Sequence, residues 1–253
     1  MAAMFSGNSS DGEFEGPIIL DPGHGGEDTG AVVSGAIRES EVVLAVALKA
    51  RDILRERAPN LPILLTRDDD HFVPLHQRMA IANEHQARFF VSIHANAAQR
   101  KGARGVETFL LSPEASDDDA RKTALIENEA LKYEGSNPND PLLLTLLSLA
   151  SADQIRRSEE FAGIVQTRLA AGLNTTNRGV KQAPFFVLSR AQMPAVLVEI
   201  GFVTNPRERD RLQSAEYQEQ IASALADAVI EFERHRVAQL RALNGEPETN
   251  PAQ

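Results

Sequence analysis

Apolar residues in this chain gather into short unbroken runs, separated by longer stretches in which they recur every three or four positions. The runs Ile18–Asp21, Pro62–Thr66, Phe89–His94, Gly105–Leu111, Phe185–Leu188 and Ala195–Glu199 predict strands covered on both faces. Val43, Val46, Ala50 and Ile53 predict a helix after the first strand, Pro74 to Gln86 a second, and Ile221, Leu225, Val229 and Phe232 a C-terminal one. Strands alternating with helices imply an α/β fold, a mainly parallel sheet with helices on both faces.

The region between Leu111 and Phe185 carries no strand signal. Ser116, followed by Asp117, Asp118 and Asp119, predicts a helix start there, a cap with acids over the positive end of the dipole. Asp140-Pro141 predicts another. The leucines that follow, Leu142, Leu143, Leu144, Leu146, Leu147 and Leu149, lie almost all round a helix, which therefore needs burial or a covering partner. Residues 112–160 read as a helical insertion, with a helix continuing to about Leu169 as a core element. Residues 1–15 read as a flexible N-terminal extension, 238–253 as a flexible tail, and 16–237 as the folded domain.

Composition narrows the partners. The length of 253 residues and the 42% apolar content suit one large domain, or a domain with an insertion. No stretch has the length and apolarity of a membrane span. A net charge of −10 argues against nucleic acid or anionic lipid as a main partner. Without cysteine, disulfides and thiolate metal ligands are excluded. The first ten residues lack the basic region and long apolar core of a signal peptide and read as the start of a trimmed or tagged domain.

The candidate chemistry begins with His24, delivered by the turn Pro22-Gly-His-Gly-Gly-Glu-Asp-Thr-Gly30 at the carboxyl end of the first strand. His94 ends another strand, Glu39 opens the helix starting near Arg38, and Glu199 ends the last apolar run. In a parallel sheet all four would converge at one edge. Two imidazoles and a carboxylate form a catalytic zinc set with a fourth position left for water, and a second carboxylate can act as general base. Each residue also has a plainer reading: a turn histidine, a core histidine, a first-turn acid favoured by the helix dipole. Glu199 resists such a reading, because a carboxylate after Ala195-Val-Leu-Val198 is costly to bury alone.

A phosphate-loop reading of Gly23-His-Gly25 fails on Asp28, which stands at the third glycine position with Glu27 before it; both acids would repel a pyrophosphate. The helical zinc-protease motif H-E-x-x-H is absent. Arg67 could bind an acidic substrate group or pair with one of Asp68–Asp70, and Asn96 could hydrogen-bond substrate or shape its turn. His71, His76, His85 and His235 read as surface or packing residues.

On Ile19-Leu-Asp-Pro-Gly-His-Gly-Gly26, Arg38-Glu39, Leu65-Thr-Arg67, Ser92-Ile-His-Ala-Asn96, Asn177-Arg-Gly-Val180, Pro194-Ala-Val-Leu-Val-Glu-Ile-Gly-Phe202 and Thr204-Asn205, the chain resembles the zinc-dependent N-acetylmuramoyl-L-alanine amidases of bacterial cell-wall turnover. The resemblance implies a twisted, mainly parallel six-stranded sheet with flanking helices. It implies one zinc bound by His24, Glu39 and His94, with Glu199 as catalytic base. The substrate would be peptidoglycan, cut between the lactyl group of N-acetylmuramic acid and L-alanine of the stem peptide.

The insertion is similar to that of the division-associated amidases of Gram-negative bacteria. In that subgroup a helix places a glutamate on the zinc until an activator protein displaces it. The matching stretch is Ile126-Glu-Asn-Glu-Ala130, which makes Glu127 the candidate inhibitory ligand and Glu129 the alternative; otherwise both are ordinary exposed glutamates. The leucine-rich helix after Pro141 would be the surface an activator engages. The resemblance also implies a periplasmic location and a role in daughter-cell separation. Two other readings are a zinc carboxypeptidase or deacylase acting on a different amide, and a catalytically silent peptidoglycan-binding module. The filled set of four chemical positions disfavours the second.

Overall fold

The computed structural model of the protein describes residues 15–33, 37–98, 102–135 and 152–244. Its sheet is built from β1 (Ile18–Pro22), β4 (Ile63–Leu65), β5 (Phe89–Asn96), β6 (Val106–Leu111), β7 (Asn177–Ala183) and β8 (Ala195–Phe202). The spatial order is β4-β1-β5-β8-β6-β7. Every pairing is parallel except that of β6 with β8. A small antiparallel pair, β2 (Val32–Val33) and β3 (Ile37–Arg38), lies outside this sheet. The helices are α1 (Glu39–Arg57), α2 (Leu75–Glu84), α3 (Asp118–Glu127), α4 (Ala152–Gly172), α5 (Pro206–Leu212) and α6 (Ala215–Leu243).

The strand period of two divides the core. Ile18, Leu20, Phe89, Val91, Ile93, Val196 and Val198 pack on one face, beneath residues of α1, α4 and α6. Ile19, Phe90, Phe109 and Leu197 pack on the other, with Leu75 and Met79 of α2 and Ala120 and Ala124 of α3. On this second face the strands change character toward the sheet's functional edge. Ile19 is followed by Asp21, Phe90 by Ser92 and His94, and Leu197 by Glu199, while Glu107 precedes Phe109 on the antiparallel β6. The face that begins as core therefore ends as chemistry.

Three readings of the chain change. Phe185–Leu188 is not a strand: Phe186–Leu188 forms a turn of 3-10 helix buried in the second core. The sixth strand is β7, whose Asn177-Arg-Gly-Val-Lys-Gln-Ala183 is mostly partly exposed or exposed, as an edge strand allows, and so has no apolar run to betray it. The cap of α3 is Asp117, which accepts from the Ala120 amide at 2.7 Å, because Ser116 is held against β7 through Gln182. Finally, α6 continues to Leu243 through residues expected to fray. Val237-Ala-Gln-Leu-Arg-Ala-Leu243 is rich in strong helix formers. The leucine run at 142–149, the start at Asp140-Pro141 and residues 1–14 and 245–253 lie outside the described residues.

Beneath the turn after β1 lie two buried arginines, Arg67 and Arg78. Arg78 donates to Asp21 Oδ1 at 2.8 Å and to the carbonyls of Pro22, His24 and Val73. Thr66 and Ser92 also donate to Asp21. Burial alone would raise the Asp21 pKa, but the Arg78 charge and these hydrogen bonds outweigh it and hold the carboxyl below its ordinary range. A carboxylate so depressed contributes stability above its unfolded pKa and loses it as pH falls through the folded one. Arg78→Met, which leaves Asp21 buried and unpaired, should lower the unfolding free energy by about 3–5 kcal/mol at neutral pH. Urea unfolding should show this difference narrowing in acid, where the orphaned carboxyl is protonated.

Candidate metal centre

Four elements aim one side chain each at a common point. His24 lies in the turn after β1, Glu39 is the first residue of α1, His94 is in β5 and Glu127 is the last residue of α3. One ligand atom from each lies within 4.8 Å of all the others. His24 Nε2 is 3.1 Å from Glu39 Oε1, 3.2 Å from Glu127 Oε2 and 3.1 Å from His94 Nδ1. His94 Nδ1 is 3.2 Å from Glu39 Oε1 and 2.7 Å from Glu127 Oε2. A tetrahedron with bonds of about 2.0 Å has edges of about 3.3 Å, so two imidazoles and two carboxylates present a donor set sized for a small divalent cation. All four side chains are buried, and Glu127 Oε2 has no hydrogen-bond partner among the described residues.

Local structure enforces this aim. His24 adopts a left-handed backbone with φ of 58°, rare for a non-glycine residue and kept only where surroundings demand it. Those surroundings are the Arg78 contact to its carbonyl and the reciprocal backbone bonds of Gly25 and Asp28. Its Nδ1 donates to Asp28 Oδ2 at 2.9 Å, which fixes the tautomer and turns the Nε2 lone pair toward the cluster. Glu39 Oε1 accepts from the Ala95 amide and Oε2 from that of Ala31. Two glycines make room: a Cβ at Gly23 would sit 2.3 Å from the His94 ring, and one at Gly30 would sit 2.7 Å from the His24 ring and 2.8 Å from Glu39.

The electrostatics are those of a cation site. Burial alone would push the imidazole pKa values down, yet the Glu39 charge raises that of His24 and Glu127 lifts that of His94 to about 9. Burial would likewise raise Glu39 and Glu127, but the histidines hold both carboxyls below their ordinary range. Glu199 differs: fully buried, with neither oxygen hydrogen-bonded among the described residues, it is pushed well above the usual carboxylate range by burial and then by Glu127, Glu39 and Glu107. It stands opposite His94 across the β5–β8 pairing and opposite Glu107 across β8–β6.

The other expected residues have different places. Glu129 is exposed and pairs with Lys132 at 3.4 Å, so Glu127 is the glutamate turned into the cluster. Arg67 commits its guanidinium to the carbonyls of Pro22, Gly23, Ser40 and Asp69, which makes it a brace for the turn rather than a group facing substrate. Asn96 donates to Glu107 Oε1 at 3.1 Å and to Thr123 Oγ1 of α3 at 3.2 Å. Sequence reasoning missed Asp28 as the partner of His24, although a carboxylate four residues from a candidate ligand was a readable signal. It missed Glu107 too, a charge in an otherwise apolar strand like Glu199.

Known proteins carry the same plan. A family model described as N-acetylmuramoyl-L-alanine amidase matches residues 18–231. N-acetylmuramoyl-L-alanine amidase AmiA of Escherichia coli strain K12 is 37% identical over 219 residues, spanning 85% of this chain and 75% of AmiA. The catalytic domain of CwlV, an N-acetylmuramoyl-L-alanine amidase from Bacillus (Paenibacillus) polymyxa var. colistinus, superposes with a TM-score of 0.66 at 29% identity, covering 87% of this chain and 98% of that one. The CwlD amidase from Clostridioides difficile, solved in complex with the GerS lipoprotein, gives 0.64 at 26% identity, covering 87% and 99%.

The hydrogen bond from His24 to Asp28 yields a direct test. Asp28→Ala should weaken divalent-metal binding about 10–100-fold, read by competition with a chromogenic chelator. An unchanged affinity would remove Asp28 from the site.

Proposed function

This chain belongs to the N-acetylmuramoyl-L-alanine amidase family and is a peptidoglycan amidase; from that premise we propose that it is a zinc enzyme held inactive at rest by its own helix α3. His24, Glu39 and His94 hold the zinc, and Glu127 takes the fourth position. The observation that carries this reading is the convergence of four ligand atoms, three from the sheet edge and α1 and one from α3. A set of N and O donors without thiolates, closed by a fourth protein ligand, suits zinc in a blocked state. When bound, zinc supplies Lewis acidity toward a water and the substrate carbonyl.

The chain's own residues do the rest. With α3 withdrawn, the amide between the lactyl group and L-alanine lies over the cluster. Glu199 takes a proton from the attacking water and returns it to the departing amino group of L-alanine, leaving the carboxylate on the glycan. Burial, then the neighbouring carboxylates Glu127, Glu39 and Glu107, raise the Glu199 pKa, and withdrawal of Glu127 removes one of those carboxylates. Family membership in amide hydrolases of this specificity sets aside the carboxypeptidase, deacylase and silent-module readings.

The biological reading rests on the resemblance of the sequence motifs to the division-associated amidases. We place the enzyme in the periplasm, in cell-wall remodelling and daughter-cell separation, with residues 112–160 as a regulatory insertion in a catalytic domain spanning 16–237. An activator protein engages the insertion and draws α3 away. The CwlD–GerS complex shows that a related amidase is met by a protein partner. No helix among the described residues is long and apolar enough to cross a membrane.

Two variants separate catalysis from regulation. Glu199→Gln should lower turnover of purified sacculi by about 10²–10⁴-fold while zinc content, measured by atomic absorption, is retained. Glu127→Ala should raise turnover of the zinc-loaded protein at least about tenfold, with three ligands sufficing to keep the metal. Equal turnover in Glu127→Ala and the parent would sink self-inhibition.

A further inference from the structure

The N-terminal half of α3 is held by a second cluster, distinct from the metal centre. Glu107 is buried in β6, and two cations of β7 converge on its Oε2: Arg178 Nε at 2.9 Å and Lys181 Nζ at 3.0 Å. Lys181 also reaches Asp117 at 3.2 Å, and Arg178 reaches Asp119 at 3.9 Å. Asp117 and Asp119 belong to the start of α3. Arg178 is further fixed by its guanidinium lying 5.0 Å over the Phe202 ring. A cavity of about 60 Å³ already opens here, lined by Asn96, Glu107, Asp119 and Arg178 among others.

Charge bookkeeping gives this cluster a meaning. With α3 in place, two cations face three carboxylates. Without it, they face Glu107 alone, and one positive charge is left over beside the active edge. Glu107 and Phe202 keep Arg178 in position whether or not α3 is present, and Glu107 does the same for Lys181. The side chains of Asp117 and Asp119 are 46% and 50% exposed, so their pairs are individually weak and easily exchanged.

We propose that Arg178 and Lys181 form a subsite for a carboxylate on the peptide side of the substrate, a place that Asp117 and Asp119 fill at rest. This rests on the reading of α3 as an occluding helix, and it makes that helix a double mimic: Glu127 at the metal, acids at the peptide subsite. The reaction itself decides which half of the substrate is read. The glycan's lactyl carboxyl is consumed in the scissile amide, so free carboxylates near the cut belong to the peptide. The register supplies the reach. His94, Glu199, Glu107 and Arg178 sit on the four adjacent strands β5, β8, β6 and β7. Three strand spacings of about 4.8 Å separate the backbones of β7 and β5 by about 14 Å, and the Arg178 and Lys181 side chains reach back to Glu107 on β6, so the cations lie within the span of about four extended residues from His94. An acidic peptide within that reach would be bound by charge-assisted hydrogen bonds.

The test uses the zinc-loaded Glu127→Ala variant of the whole 253-residue chain and two soluble N-acetylmuramoyl-peptides, one with its peptide carboxylates free and its twin with them amidated. The acid form should show a KM lower by about tenfold, with kcat changed less than about twofold. Adding Lys181→Gln, which leaves Arg178 to neutralise Glu107 and so spares the fold, should erase most of that preference by raising KM for the acid form alone. Equal KM for the twins overturns the subsite, and so does a Lys181→Gln effect of the same size on both. A retained acid preference without any turnover gain in Glu127→Ala removes only the occluding-helix reading.

Discussion

The turn that presents His24 has its backbone arranged against habit: the carbonyls of Pro22, Gly23 and His24 point inward, into two buried guanidiniums. Buried carbonyls without donors would be costly, and water has little room beneath a closed sheet edge. Arg67 and Arg78 remove that cost with rigid, multidentate forks that a lysine could not supply. Asp21 offsets part of the buried charge. Everything at the edge follows: the left-handed His24, the packing of Gly23 on the His94 ring, and the approach of α1 that brings Glu39 in. Arg67 is thus more consequential as a brace than it would be as a substrate contact.

From that frame the site reads as a gradation of charge along one sheet face. The candidate metal cluster concentrates two carboxylates, Glu199 sits next to them with no hydrogen-bond partner among the described residues, and Glu107 lies one strand further with two cations. Helix α3 touches this face at both ends, through Asp117 and Asp119 at one and Glu127 at the other. Its far end is fixed by Asn128, which accepts from the Phe186 amide and donates to the Pro184 carbonyl. The helix is therefore tethered beside Glu127 and held elsewhere by ion pairs, the Asn96–Thr123 hydrogen bond and the packing of Ala120 and Ala124.

Much of this was legible in the chain because strand periodicity and glycine turns are local signals. The strand that leads into His24 and those that carry His94 and Glu199 announced themselves as apolar runs ending in a polar residue, and α1 began where Glu39 was expected. What escaped was whatever depended on contacts distant in sequence. Strand β7 sits at the rim, half exposed and polar, and gains strand character only from pairing with β6. Phe185–Leu188, apolar enough for a strand, is drawn into a helical turn by the second core. Arg178 stood in a stretch that carried the resemblance, but its role and that of Lys181 emerged only with Glu107 beside them. Glu127 and Glu129 could be told apart only by which way a helix turns.

One detail of α3 bears on how tightly the enzyme is switched off. The helix meets the core through Ala120 and Ala124, while its larger Leu125 is 54% exposed. Two buried methyl groups contribute on the order of 1–2 kcal/mol, far less than leucines would. Beyond Glu127, the Asn128 hydrogen bonds and the ion pairs at its start, little apolar contact holds this cover, and an opening cost of a few kcal/mol would lift it in about 0.1–10% of molecules. On the proposed reading the resting enzyme leaks at that rate, and a partner needs only to capture the open form. The alanines would then set both the background hydrolysis a cell wall must tolerate and the affinity required of whatever turns the enzyme on.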